Sequence, residues 1–344
     1  MSITRLRRFL LVALIVVLGG SIFVVKSTAQ RAQSVPLGHD SLTLTVGGAE
    51  RHALIHLPPR YDKTKPAPLL IVFHGAGGTA INAKNETGWS AKADIDSFIV
   101  AYPEGVRPDA AKPPSFRNNM QSWNDGSGRF YSAEQKVDDV TFIRAVIEKL
   151  CADYAIDQRR IFAAGFSNGA SMAFRVGAEL ADRIAVVAPH SGACWSATVK
   201  PARAISLCYL TGTADTLNPL DGGFPKLAIG GKDQGGKPKP PVIDSILKWA
   251  KALGCPEKPV QDDTKNGVHT RRYGPGRDGV EIAFITIEGL GHNWAGGVSQ
   301  APEYMVGKNT DKLRATDVVW DFFMNHPASQ PPTEPSSATN RSTR

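Results

Sequence analysis

The sequence predicts an α/β fold: a mostly parallel, twisted sheet with helices on both faces and no large lid. Three observations predict it. Runs such as Leu69–His74 and Phe98–Tyr102 are continuously apolar but too short for helices, as expected of strands buried on both faces. Val140, Ile143, Val146 or Ile147, Leu150, Cys151 and Tyr154 recur at helical spacing, with Asp138 and Asp139 where an N-cap is wanted. Several predicted strands end in Gly, Ser, Asp or His, and ligands in such sheets bind beyond the carboxyl ends of the strands.

Taken in order, residues 1–29 read as a signal peptide. Arg5, Arg7 and Arg8 precede an apolar run from Phe9 to Val25, and Ser27-Thr28-Ala29 offers a cleavage site. Cleavage after Ala29 implies export to the periplasm or beyond; an uncleaved membrane anchor is the alternative, and the leader is the only membrane contact expected. Residues 30–40 form a flexible approach, 41–326 the folded domain, and 327–344 a Pro/Ser/Thr-rich disordered tail. The domain opens with a hairpin, Leu42–Val46 and Arg51–Leu57 around Gly47-Gly48. After the first buried strands, Val106–Ala133 shows no periodicity and contains Ser122-Trp123-Asn124-Asp125-Gly126; loops this long are usually functional or disordered. Strands then follow at Ile161–Phe166, Ile184–Ala188, Ile205–Leu210 and Glu281–Ile287, with helices at Val242–Leu253 and Asp311–Phe323. Asn218–Pro241 is a Gly/Pro/Lys-rich surface excursion, and no insertion long enough for a helical lid follows the strand ending at His190.

The formal charge of +8 is partly the leader's doing, since four basic residues and no acidic ones fall within residues 1–29. The remaining basic residues are scattered, with no stripe interleaved with aromatics, so nucleic acid is not an expected partner. Cys151 and Cys208 fall on a helix stripe and in a strand and are expected as buried thiols; Cys194 and Cys255 lie in loops and are the expected pair if one disulfide forms. No C-x-x-C or His/Cys cluster has metal spacing, so neither metal nor cofactor is expected.

The chain is organised around Gly165-Phe166-Ser167-Asn168-Gly169, which follows a buried apolar run and opens a helix-forming segment. This is the pattern of a nucleophile elbow, a strand-to-helix turn so tight that the residues two before and two after the serine must lack bulk. A serine hydroxyl is a poor nucleophile near neutral pH, so it needs a base, and the base needs an acid to fix its tautomer. Asp215 and His292 each lie just past a strand end, after Ser167 in the chain. Ser167 is therefore the expected nucleophile, His292 the general base and then acid, and Asp215 its orienter; Asp221 and Asp233 are weaker candidates because neither closes a strand. Charge on the reacting carbonyl oxygen must meet fixed donors. The backbone N–H of Asn168 is one, and Ala76, in the glycine-rich His74–Gly78 loop, is the expected second, with Gly77 the alternative. His74 and His190 are expected to be structural.

Together, L-I-V-F-H-G-A-G-G, S-W-N-D-G, V-D-D-V, G-F-S-N-G-A-S-M, A-P-H-S-G, G-T-A-D-T and G-H-N-W-A-G-G resemble the exported polyhydroxybutyrate depolymerase and feruloyl esterase family, the LpqC-like group within the carbohydrate esterases, over about residues 50–325. The resemblance implies an α/β-hydrolase fold and metal-free carboxylic ester hydrolysis, with the catalytic roles on Ser167, Asp215 and His292. Two positions depart from it. Ala76 stands where members often have cysteine, and Ala295 follows Trp294 where many read W-P-G-G.

An open cleft rimmed by Trp123, Trp294 and Trp195 is expected to take an aromatic acyl group or a polymer chain, feruloyl or acetyl esters of polysaccharide or hydroxyalkanoate oligomers. A serine peptidase, or a noncatalytic envelope protein binding glycan or lipid in the same cleft, are the competing readings. The sequence sets no oligomeric state.

Overall fold

The computed structural model describes residues 39–226 and 238–329. The expected leader, nearly all of the approach segment, the middle of the Asn218–Pro241 excursion and the tail from residue 330 lie outside the described residues. The described residues all belong to the compact unit Pro36–Arg344.

The chain forms β1 (His39–Val46), β2 (Ala49–His56), β3 (Ala67–Phe73), α1 (Ala80–Thr87), α2 (Trp89–Asp96) and β4 (Ile99–Pro103). Next come α3 (Tyr131–Glu134), α4 (Asp139–Asp153), β5 (Ile156–Phe166), α5 (Asn168–Glu179), β6 (Val186–His190) and β7 (Ser206–Gly212). The series ends with α6 (Val242–Leu253), β8 (Gln261–Lys265), β9 (Val268–Tyr273), β10 (Ile282–Ile287), α7 (Glu303–Val306) and α8 (Ala315–Asn325). One ten-stranded sheet runs β1-β2-β4-β3-β5-β6-β7-β10-β9-β8. The central strands β4, β3, β5, β6, β7 and β10 are parallel, and antiparallel pairs close both edges.

Burial on both faces explains why the central strands read as unbroken apolar runs. Leu69, Ile71 and Phe73 of β3 face one core with Ile161 and Ala163 of β5 and the apolar sides of α4, α5 and α6. Leu70 and Val72 face the other, with Phe162 and Ala164, Trp89 of α2, and Trp320 and Phe323 of α8. In that second core the ring of Trp320 stacks on Phe98 at 3.8 Å, and Phe323 stacks on Phe162 at 4.6 Å.

Four elements carry no periodicity that reveals them. Helices α1 and α2 bury mainly alanine and polar residues apart from Trp89, so no apolar stripe marks them. The hairpin β8-β9 is an edge whose outer strand, Gln261–Lys265, is wholly exposed and charged. Charged, exposed edges are how sheets avoid pairing with another chain, so hydrophobic alternation is absent where it would be sought.

The expected Cys194–Cys255 bridge is not formed, and all four cysteines are free thiols. Helix α6 holds the two loops apart. The Cys194 N–H donates to Ser245 Oγ near the start of α6, whereas Cys255 lies beyond its C-cap, Gly254. At 1.5 Å per residue that is a separation of more than about 10 Å, against roughly 7 Å at most between bridged Cα atoms.

Asp138 caps α4, accepting the Thr141 N–H at 2.9 Å. Asp139 does something else. It is 0% exposed, pairs with Arg51 of β2 at 2.7 Å and accepts the Asn124 N–H at 2.7 Å, so it fastens the long loop to the sheet. Removing one partner of a buried ion pair leaves an uncompensated charge. Arg51→Met should therefore cost about 3–5 kcal/mol in urea unfolding, and adding Asp139→Leu should recover part of that loss.

Candidate active site

At the end of β5 the chain reverses into α5 through Ser167, whose φ of 56° and ψ of −116° put a non-glycine residue in the left-handed half of the map. Such a conformation costs about 1–3 kcal/mol and persists only where its surroundings force it. They do. A Cβ on Gly165 would overlap the Gly169 carbonyl, and one on Gly169 would overlap the carbonyls of Phe73 and His74, so β3, β5 and α5 meet backbone to backbone. The Ser167 N–H donates to His190 O at 3.0 Å, and the Ser167 carbonyl accepts from Ala170 and Ser171 at 3.1 and 3.2 Å.

Asp215 and His292 come from the loops after β7 and β10, which are pressed together. The Thr213 and Ala214 N–H groups donate to Ile287 and Leu290 carbonyls at 2.9 and 3.0 Å, and a Cβ on Gly212 would strike Leu290 O. The far side of the His292 loop is tied by its own N–H to Val306 O at 2.5 Å. As a result His292 Nε2 lies 2.9 Å from Ser167 Oγ, and its Nδ1 lies 2.8 and 3.0 Å from the two carboxylate oxygens of Asp215. Asp215 Oδ1 also accepts the N–H groups of Leu217 and Asn218 at 3.0 and 2.8 Å. Burial pushes the Asp215 carboxyl up, but the charge and hydrogen bond of His292, with the Lys239 charge, more than offset this and hold it below the usual carboxylate range. A carboxylate held ionised behind an imidazole that reaches the serine hydroxyl is the arrangement general-base activation needs.

The His74–Gly78 loop lies against the elbow, and a Cβ on Gly75 would stand 3.4 Å from that of Ser167. Within it the Gly77 N–H is spent on Gln121 O at 2.7 Å and that of Gly78 on Gly75 O at 3.0 Å, which removes Gly77 as the alternative donor and leaves Ala76. His74 shapes the loop, as expected. Its Nδ1–H donates to Gly75 O at 2.8 Å and its Nε2 accepts the Gly105 N–H at 3.0 Å, fixing a neutral tautomer. His190 joins two loops in a similar way, its Nε2 accepting the Ala295 N–H at 3.2 Å.

The expected tryptophan rim is not there. Trp123 is 0% and Trp294 1% exposed, and neither lines the cleft. Each indole N–H must find an acceptor when buried, and each does so inside: Trp123 Nε1 donates to His74 O at 3.0 Å, and Trp294 Nε1 to Thr316 Oγ1 at 2.9 Å. Trp123 works from behind. Its N–H donates to Asn168 Oδ1 at 2.8 Å, and Asn168 Nδ2 donates to Asp125 Oδ2 at 2.8 Å, so the S-W-N-D-G cluster clamps the first residue of α5. Trp195 is half-buried beneath Arg129.

The cleft in front of Ser167 and His292 holds about 620 Å³. Its apolar wall is built from Phe116, Met120, Phe130, Phe166, Phe224 and Met305, and its polar lining includes Glu86, Arg129 and Lys239. Sequence reading missed these residues. Phe130 and Phe224 are aromatics in aperiodic stretches, and Lys239 pairs with Gly223, a contact that spacing along the chain does not reveal.

Serine, aspartate and histidine, in that chain order, at the ends of β5, β7 and β10 on one rim of a parallel sheet define an α/β-hydrolase. More narrowly, residues 60–222 match the phospholipase/carboxylesterase family, and the chain is a carboxylic ester hydrolase. It is 29% identical over 296 residues to NocK of Nocardia uniformis subsp. tsuyamanensis, whose own esterase assignment is provisional, covering 82% of this chain and 81% of that one. It is 30% identical over 256 residues to feruloyl esterase B of Piromyces equi, covering 70% of this chain but only 42% of the relative. Among solved structures, acetyl xylan esterase from Aspergillus awamori shares the fold with a TM-score of 0.53 at 15% identity, over 74% of this chain and 94% of the other.

Burial pushes His74 down to about 4 and His190 down to about 3, from an ordinary 6.5. Between those values and 6.5 the unfolded chain binds more protons, so this stability is complete above pH 6.5 and is lost as pH falls. Glu86 and Glu104, pushed up by burial to about 8 and about 7, act with the opposite sign between roughly 4.5 and those values. The histidine contribution is therefore best read as a difference. The stability advantage of the native chain over His190→Gln should shrink as pH falls from 7 to 4, by up to about 1.4 kcal/mol per unit in denaturant titrations.

Proposed function

We propose that this carboxylic ester hydrolase works through an acyl-enzyme. The Ser167 hydroxyl adds to the ester carbonyl as its proton passes to His292 Nε2; His292 then gives that proton to the leaving alkoxide, and water repeats the sequence to release the acid. Asp215 holds the imidazole and stabilises its charged form. The N–H groups of Ala76 and Asn168 receive the negative charge on the tetrahedral oxygen. The observation that carries this reading is the unbroken relay of 2.9 Å from Ser167 Oγ to His292 Nε2 and 2.8 Å from Nδ1 to Asp215.

The apolar wall of the cleft suits an aromatic acyl group or a hydroxyalkanoate segment, in keeping with the feruloyl esterase and depolymerase resemblance, while polysaccharide would remain outside as the alcohol. The Arg-rich start, apolar run and small residues at 27–29 support export, with Gln30 as the first mature residue.

One series of experiments tests these points. A fluorophosphonate should add once, on Ser167, and Ser167→Ala should lower kcat by about 10⁴-fold or more on feruloyl, acetyl or 3-hydroxybutyrate oligomer esters. Modification elsewhere, or turnover by Ser167→Ala near that of the native enzyme, would refute the mechanism. The intact mass of the exported protein should correspond to a chain beginning at Gln30.

A further inference from the structure

Of the three cationic side chains lining the cleft, Arg117 is exposed, whereas Arg129 and Lys239 are largely buried and neither hydrogen-bonds Ser167 or His292. Lys239 is 6% exposed, and its Nζ donates to Asn218 Oδ1 at 2.9 Å. The Arg129 side chain is 15% exposed, with its guanidinium 4.6 Å over the ring of Trp195 and 5.1 Å over that of Phe130. It forms a long ion pair with the buried Asp125 carboxylate, Oδ2 standing 3.6 Å away, while its buried Nε has no hydrogen-bond partner among the described residues.

Each cation reaches the reacting groups through one intermediate residue. Asn218, held by Lys239, donates its N–H to Asp215 Oδ1 at 2.8 Å. Asp125, beside Arg129, accepts from Asn168, the neighbour of Ser167, at 2.8 Å. The two positive groups therefore stand on different loops lining the cleft that also holds Ser167 and His292. The carboxylates near them are already engaged, Asp215 by His292 and two backbone N–H groups, Asp125 by Asn168 and the Ser127 N–H. Burial, and then the charge of Arg129, push Lys239 down to about 7, so the two cations oppose each other in a partly desolvated wall. Asp125 and Asp215 offset this only in part, and both cations line the cleft the substrate enters, where a further anion would be favoured.

We propose that Lys239 and Arg129 form an anion subsite for an aliphatic carboxylate carried by the substrate a few bonds from the scissile ester. The enzyme on this reading prefers acid-bearing esters to neutral ones of the same size. This rests on the esterase reading above and adds a substrate class to it. A carboxylate of this kind could stand on the acyl side, as in a hydroxyalkanoate oligomer or a dicarboxylic monoester, or on the alcohol side, as in a uronic acid.

The test compares mono-p-nitrophenyl glutarate with p-nitrophenyl pentanoate, which places or omits a carboxylate on the acyl chain, and acetylated galacturonate with acetylated galactose, which does so on the alcohol. In the native enzyme kcat/KM should favour the acid of at least one pair. Lys239→Met and Arg129→Gln should each lower that preference by about tenfold or more, roughly the worth of one charge-assisted hydrogen bond. The pair showing the preference identifies the side. A merely structural role would slow both members of a pair alike, and an unchanged ratio in both variants would overturn the subsite. Calorimetry on Ser167→Ala with glutarate keeps the result independent of turnover. Saturable binding, weakened tenfold or more by adding Lys239→Met, supports the subsite; no binding at millimolar glutarate overturns it. If no ester is turned over by the native protein while glutarate still binds, the esterase reading fails and the subsite stands.

Discussion

The structure depends on a place where backbone touches backbone with no room for a side chain. Gly165 lies against the Gly169 carbonyl, and Gly169 against the carbonyls of Phe73 and His74. These contacts bring β3, β5 and α5 together so closely that the residue between the glycines has no relaxed conformation left, and Ser167 takes a φ of 56°. The strain puts the hydroxyl at the rim of the sheet instead of in its core. It also aligns the first N–H of α5 with the loop after β3, so the same contact positions the nucleophile and one wall of the proposed oxyanion site.

Around this fixed point the other groups are set by loops that brace each other. The loops after β7 and β10 are joined at Gly212 and Leu290 and carry Asp215 and His292. Behind the elbow, Asn168 is gripped by Trp123 and Asp125, while Asp139 and Arg51 fasten the same long loop to β2. Geometry of a few tenths of an ångström at a catalytic serine requires that its neighbours have no alternative places to go. Buried side-chain hydrogen bonds provide this where the long Val106–Ala133 loop, being aperiodic, cannot rely on regular structure.

Much of this is legible in the sequence because the relevant constraints are local. Gly165 and Gly169 flank the serine at fixed offsets, and a strand buried on both faces must be apolar throughout, so the elbow and the central strands read directly. The Ser, Asp, His order places the three residues at strand ends, those of β5, β7 and β10, without knowledge of the turns between them. What could not be read depends on distant partners. Trp123 and Trp294 are aromatics in loops, and whether such a ring faces the cleft or the core depends on where an acceptor for its N–H lies; here the acceptors are His74 O and Thr316 Oγ1, both inside. Lys239 pairs with Gly223, a contact that spacing along the chain does not reveal, and the separation of Cys194 from Cys255 is set by the length of α6. The β8-β9 edge was hidden because an exposed edge strand need not alternate.

The central claim is that the contact of Gly165 with Gly169 holds the serine in its active conformation, and Gly165→Ala is the most direct measurement of it. The account predicts that one added methyl group lowers the unfolding free energy by about 3 kcal/mol or more and, in whatever folds, removes both ester turnover and fluorophosphonate labelling. A Gly165→Ala protein with native stability and native kcat/KM would contradict it.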